Sequence, residues 1–267
     1  MFETTILAIL QGIAEFLPIS SSGHLVLGKA LLGVDEPGIR LDVFLHVGTL
    51  FAIAAFYWKV IWKIVRGAFT TGGAESLPLR QSWSYIAKIV VSAIPAGIVG
   101  VLFKDQLEEF FSSPHAVGAA LLFTGVVLLA TKVLPKGDRR VSFWSALVMG
   151  VAQAVAILPG VSRSGMTIAA AKASKVEPAK AAEFSFLMSA PPIAGAALLE
   201  VLKAMKNHCP ECPSTETAWP LVIYGGALAA VVGYFSLAVL LRTLKSDRFW
   251  LFGPYCLLAG GVTLILI

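Results

Sequence analysis

Two apolar segments of the chain are each broken near their middle by proline, serine and glycine, and these breaks restrict the fold more than any other feature. The segments are residues 4–34, interrupted by LPISSSG at 17–23, and residues 142–173, interrupted by LPGVSRSG at 158–165. A helical arm of about 14 residues reaches roughly 21 Å, whereas the hydrocarbon core of a bilayer is about 30 Å thick. Because the arms are too short to span, both segments are predicted to be re-entrant helical hairpins.

Six further stretches are apolar over about the length that a helix needs to cross a bilayer, roughly 20 residues. Hydrophobic residues make up 57% of the chain and charged residues 14%, whereas soluble domains are about 45–50% apolar and about 25% charged. The sequence therefore predicts an all-α integral membrane protein with six transmembrane helices plus two re-entrant helical hairpins. The predicted spans are Leu41–Trp58, Ile86–Phe103, Ala116–Thr131, Phe184–Leu202, Ala218–Leu241 and Phe249–Ile267.

Lysine and arginine are unevenly distributed between the two sides of these predicted spans. Fourteen lie on one side, and five lie on the other: Lys29, Arg40, Lys104, Lys203 and Lys206. Since an excess of basic residues marks the cytoplasmic side, both termini are expected outside, with the first hairpin entering from outside and the second from the cytoplasm. The net charge of +5 suggests contact with anionic lipid headgroups, and no basic run indicates a nucleic-acid partner.

The chain aligns with itself at a shift of 142 residues. Without a gap, this shift places Gln11 on Gln153, Ser20 on Ser162, Ser22 on Ser164, Gly23 on Gly165, and Phe44-Leu45 on Phe186-Leu187. The single membrane domain is therefore predicted to contain a first repeat at 1–134 and a second at 142–267. Each repeat has one hairpin and three spans, and because three is odd the second must be inverted. The alternative is chance alignment of small residues in apolar sequence.

Few charged groups lie within these segments, and charged groups inside a membrane are usually functional. Gln11 and Glu15 share one helix face, and an amide with a carboxylate suits a hard cation or a proton. The alternative is that Glu15 only extends to the interface. His24 has no counterpart in the second repeat and is interpreted as an acid–base or nucleophilic group, with a core histidine as the alternative. Asp42 and His46 are expected in supporting positions.

Serine-rich sequences begin the second arm of each hairpin. Ser20, Ser21, Ser22 and Gly23 do so in the first repeat, while the second repeat adds an arginine in the sequence SRSGMT at 162–167. Two helix N-termini and a guanidinium fit a diphosphate, although serines also serve as N-caps. We expect the two hairpins to bring Arg163 against Glu15 and His24.

The sequence QGIAEFLPISSSGHL at 11–25, together with PGVSRSGMT at 159–167, resembles the two signature motifs of undecaprenyl-diphosphate phosphatase, a bacterial membrane enzyme family linked to bacitracin resistance. The resemblance extends to LDVFLHVGTL at 41–50 and AEFSFL at 182–187. It implies hydrolysis of undecaprenyl diphosphate to undecaprenyl phosphate and inorganic phosphate, which recycles the lipid carrier for cell-wall synthesis. It also implies a divalent cation, location in the cytoplasmic membrane and a site open to the periplasm.

The resemblance further implies a role for each matching residue. Glu15 with Gln11, which stands where some members carry glutamate, would orient Mg²⁺ or Ca²⁺ on the diphosphate. His24 would be the nucleophile or general acid–base, with Ser21 as the competing nucleophile. Arg163 would stabilise the transferred phosphoryl group, and phosphate oxygens would be held by Ser20, Ser22, Gly23, Ser162, Ser164, Gly165 and Thr167.

A secondary transporter or polyprenyl-phosphate flippase is the alternative function, since broken helices in inverted repeats are typical of carriers. A carrier would more often keep matched polar groups in both halves, whereas here Glu15 and His24 lie in one hairpin and Arg163 in the other. A protein that combines phosphatase and flippase activity is a further alternative. The sequence does not determine the oligomeric state, and a homodimer is one of the alternatives. The C55 tail of the substrate would leave sideways into membrane lipid.

Overall fold

The computed structural model describes residues 1–33, 39–70, 77–103, 106, 110, 113–206 and 219–266. Within these residues the chain forms eleven α-helices, two short 3-10 turns at Thr131–Val133 and Phe249–Leu251, and a single isolated β-bridge. Cys209 and Cys212, whose spacing carries no assigned function, lie outside the described residues. The helices are α1 Phe2–Ala14, α2 Ser21–Leu32, α3 Ile39–Phe56, α4 Trp58–Phe69, α5 Leu79–Leu102, α6 Pro114–Ala130, α7 Phe143–Val155, α8 Arg163–Ala173, α9 Pro178–Lys206, α10 Trp219–Lys245 and α11 Phe252–Leu266.

Each broken segment forms a pair of short helices that pack against each other, as the sequence predicts. In the first, α1 and α2 are separated by residues 15–20, and in the second, α7 and α8 are separated by residues 156–162. Ser20 and Ser162 accept hydrogen bonds from the backbone N–H groups of Gly23 and Gly165, so each serine caps the helix that follows it. The breaks therefore end one helix and begin the next.

The number of helices able to cross a bilayer is lower than the six predicted from sequence. Among the described residues, four are long and apolar enough: Leu79–Leu102, Pro114–Val133, Trp219–Lys245 and Phe249–Leu266. A fifth is reached only if α3 and α4 count as one span, and these are bent by 76° at their junction. The predicted span Phe184–Leu202 lies inside α9, which carries Pro191 and Pro192 in its interior. Apolar content alone did not reveal the bend between α3 and α4.

The helix α4 is amphipathic, and apart from Trp58 its residues lie outside the spans predicted from sequence. Ile64, Gly67 and Ala68 are buried, while Lys59 and Lys63 are exposed. At its start, Trp58 and Trp62 are also exposed and stack on each other, with ring centroids 5.6 Å apart. Exposed tryptophans next to lysines are typical of a helix that lies in the membrane–water interface.

The helices of the two halves correspond in position. A shift of 142 residues carries α1, α2, α3, α5 and α6 onto α7, α8, α9, α10 and α11, with start positions that agree within about one helical turn. In the stretch equivalent to α4, the described residues 200–206 belong to α9. Helix start positions in the described residues thus follow the same 142-residue spacing as the sequence alignment.

Glycine residues allow close contact between helices, which is the usual way that helices associate in lipid. On α6 and α11, Gly118 lies against Gly260, and Gly125 lies against Gly253. These two contacts show that α6 and α11 run antiparallel. On α3, a Cβ added at Gly48 would be 2.1 Å from the carbonyl oxygen of Gly226 on α10, so only glycine fits there.

We expect Gly48→Ala to lower the free energy of unfolding by about 1–3 kcal/mol, because the added methyl group must push α3 and α10 apart. The measurement is the thermal unfolding midpoint of the purified protein in detergent. Gly261→Ala is the matched control, since nothing lies within 4 Å of its added Cβ. Equal midpoints for the two variants would show that the α3–α10 contact is not tight.

Candidate active site

The two breaks meet each other inside the protein. A Cβ added at Gly23 would lie 3.0 Å from Cα of Gly160, and one added at Gly165 would lie 3.3 Å from Cβ of Pro18. The shift of 142 residues converts the first contact into the second, because it relates Gly23 to Gly165 and Pro18 to Gly160. The breaks therefore pack in a reciprocal arrangement, and Gly160, with φ +94°, has a backbone conformation that favours glycine.

Each break is also held by a helix of the other half. Thr124 on α6 donates its hydroxyl to the carbonyl oxygen of Gly160 at 3.0 Å and accepts the backbone N–H of Ser162 at 3.1 Å. On α11, the thiol of Cys256 lies 3.5 Å from the carbonyl oxygen of Pro18. Backbone groups that the breaks leave without helical partners are thus satisfied by protein.

A buried ion pair between Arg163 and Glu15 joins the two breaks. Nη2 of Arg163 contacts Oε1 of Glu15, and the Glu15 side chain is only 4% exposed. The other oxygen, Oε2, accepts the hydroxyl of Ser21 at 2.6 Å and Nε2 of Gln11 at 3.0 Å. Nε2 of His46 lies 3.7 Å from the same oxygen. Glu15 is therefore the centre of the site, and the predicted meeting of Glu15 with Arg163 and Gln11 is present.

A cavity of about 510 Å³ opens beside this ion pair. Its wall contains side chains of both breaks together with residues of α3, α5, α7 and α9. The polar or charged side chains in the wall are Glu15, Ser20, Ser21, Ser22, His46, Gln153, Ser162, Arg163, Ser164 and Ser189. Apart from His46, Gln153 and Ser189, all of these belong to the two predicted motifs.

The structure places His24 elsewhere. Its Nδ1 lies 2.8 Å from the carbonyl oxygen of Ser20, and its Nε2 lies 2.8 Å from the hydroxyl of Tyr255 on α11. Both ring nitrogens are therefore engaged, and His24 is not among the residues that line the cavity. The structure brings Arg163 to Glu15 but does not bring His24 with it.

Three other predicted binding residues also lie behind the cavity wall. The hydroxyl of Thr167 is fully buried and bonded to the carbonyl oxygen of Arg163 at 2.8 Å and to the hydroxyl of Ser185 at 2.6 Å. Gly23 and Gly165 lie at the contacts between the breaks. These three residues shape the two helix N-termini, and none of them lines the cavity.

Several polar atoms around the cavity have no hydrogen-bond partner within the described residues. In the cavity wall they are Nη1 of Arg163 and both Nε2 and Oε1 of Gln153, and Oε1 of Gln11, which does not line the cavity, is also unpaired. Buried polar groups are normally paired, so unpaired atoms around one cavity indicate a ligand. Sequence reasoning gave Gln153 no role, although the repeat had already aligned it with Gln11.

A second cavity of about 570 Å³ adjoins the first. The two share Ser22, His46, Pro192 and Ile193. Most of the remaining wall is apolar, and an ion pair between Lys29 and Asp42 lies beside it. The pair of cavities thus offers a polar chamber next to an apolar groove.

Comparison with known proteins identifies the family. The family described as "Bacitracin resistance protein BacA" matches residues 4–262. The chain belongs to this family. It is 39% identical to a protein of Halothermothrix orenii over 100% of this chain and 98% of the relative. It is 37% identical to proteins of Desulforapulum autotrophicum, over 99% and 98%, and Bacteroides fragilis, over 99% and 97%. All three relatives are named undecaprenyl-diphosphatase.

In this BacA-family chain, the donor set near Glu15 fits a cation that is shared with a ligand. The described residues contain no group of three His, Cys, Asp or Glu that could enclose a metal ion by themselves. Mg²⁺, however, is commonly held by one or two carboxylates together with phosphate oxygens of a substrate. In a site of this kind, Glu15 would supply the carboxylate and the unpaired Oε1 of Gln11 would supply a second oxygen.

The ion pair gives a stability prediction. Arg163→Gln leaves the Glu15 charge buried and uncompensated, so we expect the free energy of unfolding to fall by about 3–5 kcal/mol. Adding Glu15→Gln removes that charge, and the double variant should recover most of the loss. Unfolding midpoints of the four proteins form a double-mutant cycle. A double variant that is as unstable as the sum of the single variants would show that the two groups are not coupled.

Proposed function

We propose that this protein hydrolyses undecaprenyl diphosphate to undecaprenyl phosphate and inorganic phosphate, and so recycles a lipid carrier for bacterial cell-wall synthesis. The observation that carries the proposal is the contact of Glu15 with both Ser21 and Arg163 in the wall of one cavity. A hydroxyl, a base and a cation meet there at two helix N-termini. The relatives' shared name supports the same activity.

In the first step of the proposed reaction, the Ser21 hydroxyl attacks the terminal phosphorus. Its proton passes to Oε2 of Glu15, which already accepts it at 2.6 Å. The new bond joins Ser21 Oγ to phosphorus, and the bond to the bridging oxygen breaks, releasing undecaprenyl phosphate. A phosphate monoester is a good leaving group, so no further acid is required. A carboxylate orients and deprotonates the nucleophile, as in other serine nucleophile–base pairs.

In the second step, water attacks the phosphoserine. The water oxygen bonds to phosphorus, the Ser21 ester bond breaks, and Glu15 returns its proton to the serine oxygen. Both water protons leave with the inorganic phosphate, which is released as H₂PO₄⁻. The attack therefore restores both Ser21 and Glu15 for another cycle.

Arg163 stabilises negative charge on the transferred phosphoryl group through Nη1, which has no protein partner among the described residues. The N-termini of α2 and α8 add backbone N–H groups and the positive ends of their dipoles. Mg²⁺ or Ca²⁺ held by Glu15 and Gln11 would neutralise further phosphate charge. His24 has a positioning role in this scheme, because it ties the start of α2 to Tyr255.

The proposed membrane arrangement is an inverted repeat in which both broken segments are re-entrant. The antiparallel contact of the equivalent helices α6 and α11 supports inversion, and so do the reciprocal contacts between the breaks. In this arrangement α3 and α9 cross the membrane together with the four long apolar helices, so both termini lie on one side, which the distribution of basic residues makes the periplasm. The apolar groove extends from Ser22 toward Lys29 and Asp42, which are on the outer side by the distribution of basic residues, and this supports access from the periplasm.

The apolar groove is the proposed path for the prenyl tail. It begins where Ser22 and His46 line both cavities, so a diphosphate in the polar chamber would direct its tail into it. Burial of each CH₂ group contributes about 0.8 kcal/mol, which favours a tail that stays in apolar surroundings. The rival function, a transporter or flippase, has less support because the nucleophile–base contact occurs in only one half and the relatives carry a phosphatase name.

Phosphate release from a purified sample with C15 or C55 prenyl diphosphate tests the activity and the nucleophile. Ser21→Ala should lower the rate by about 10³-fold or more. His24→Gln keeps a hydrogen-bonding side chain outside the cavity, and its rate should stay within about tenfold of the rate of the unmodified protein. Arg163→Lys should lose roughly 10²-fold because a single ammonium cannot replace the planar guanidinium. Ser246→Ala, an exposed serine at the end of α10, is the control.

Chemical trapping provides an independent check on the nucleophile. A denatured reaction mixture should contain acid-stable phosphoserine at residue 21. Acid-labile phosphohistidine at residue 24 would contradict the proposed mechanism.

The cation requirement gives a further prediction. Gln11→Ala should raise the Mg²⁺ concentration needed for half-maximal phosphate release, because it removes an oxygen ligand, and Gln11→Glu should lower it by adding charge. Titration of Mg²⁺ into chelator-treated protein measures both. An unchanged half-maximal concentration in both variants would place the cation away from Gln11.

A further inference from the structure

The side chain of Gln153 is buried in the wall of the polar cavity, yet both of its polar atoms are unpaired. Only 5% of the residue is exposed, and neither Nε2 nor Oε1 has a partner in the part of the chain that the structure describes. Leaving such an amide without partners is unfavourable for the folded protein. Its position on α7, in the wall of the cavity, suggests that the partner is a ligand.

The internal repeat explains why this amide is free. In the first half, Gln11 donates Nε2 to the carboxylate of Glu15 four residues later. In the second half, the position four residues after Gln153 is occupied by Ile157, which also lines the cavity and offers no acceptor. Gln11 in the first repeat thus donates a hydrogen bond to Glu15, whereas the equivalent Gln153 in the second repeat has an unpaired N–H group.

A second unused donor lies in the same cavity wall. Nη1 of Arg163 has no partner among the described residues, while Nη2 of the same guanidinium is held by Glu15. Arg163, at the N-terminus of α8, and Gln153, on α7, therefore line one chamber, and each has an unpaired N–H group. Two unpaired donors on residues of one cavity wall match the non-bridging oxygens of a phosphate group.

We propose that Gln153 is a substrate-binding residue that donates Nε2 to a non-bridging oxygen of the diphosphate and leaves Oε1 to accept a hydrogen bond from water. This assignment rests on the proposed function and names a contact from the second repeat that neither signature motif includes. An uncharged donor adds a directional contact without adding to the charge that Glu15 and Arg163 already balance.

Binding of inorganic pyrophosphate with Mg²⁺ to the purified protein tests this contact without requiring turnover. Gln153→Leu should weaken binding by about tenfold or more, because one hydrogen bond to a charged group is lost. Gln153→Glu should weaken it further, because a carboxylate repels the phosphate oxygens. Gln81→Leu, at an exposed glutamine on α5, is the control and should bind as the unmodified protein does.

The thermal unfolding midpoint without ligand separates binding from a structural role. Since the free amide has no partner, Gln153→Leu should leave that midpoint unchanged or raise it while lowering the stabilisation by pyrophosphate. A lower midpoint with unchanged binding would overturn the proposal, as would equal or tighter binding by Gln153→Glu, which would place a cation there. Unmodified protein that binds no pyrophosphate also overturns it. Binding that depends on Gln153 without phosphate release from prenyl diphosphate would refute the proposed function alone.

Discussion

The ion pair between Glu15 and Arg163 is the contact on which the rest of the site depends. Glu15 lies within the break between α1 and α2, and Arg163 directly follows the break between α7 and α8. The two breaks come from different halves of the chain. Two buried charges are costly unless they are paired and further hydrogen-bonded. Ser21 and Gln11 supply those bonds to Glu15, so the pair both fixes the register of the two halves and aligns a hydroxyl with a base.

Small residues make this meeting possible. The breaks approach closely because Gly23, Gly160 and Gly165 carry no side chains there, and α6 and α11 approach closely through Gly118 and Gly260. These contacts are reciprocal under the internal repeat. The frame is therefore close to symmetric, and the key polar groups of the cavity stand where the two repeats differ: the alignment pairs Glu15 with Ile157, and Ser21 with Arg163.

The difference between the two halves also explains how two adjoining cavities can match the two ends of a prenyl diphosphate. Polar groups collect around the breaks, whereas the adjoining groove is lined mainly by apolar side chains of α2, α3 and α9. Ser22 and His46 stand at the junction of the two spaces. A molecule with a charged head and an apolar tail matches this division, since each part would remain in surroundings of its own polarity.

The sequence by itself determined the helical class, the two breaks and most polar residues of the cavity wall, because proline, glycine and serine interrupt helices locally and burial of charge in an apolar chain is rare. Only the tertiary structure decided the bend between α3 and α4, the engagement of His24 with Tyr255, and the free amide of Gln153. Each of these depends on which distant side chain lies opposite a given residue. Such partners are fixed by three-dimensional packing, and no spacing along the chain encodes them.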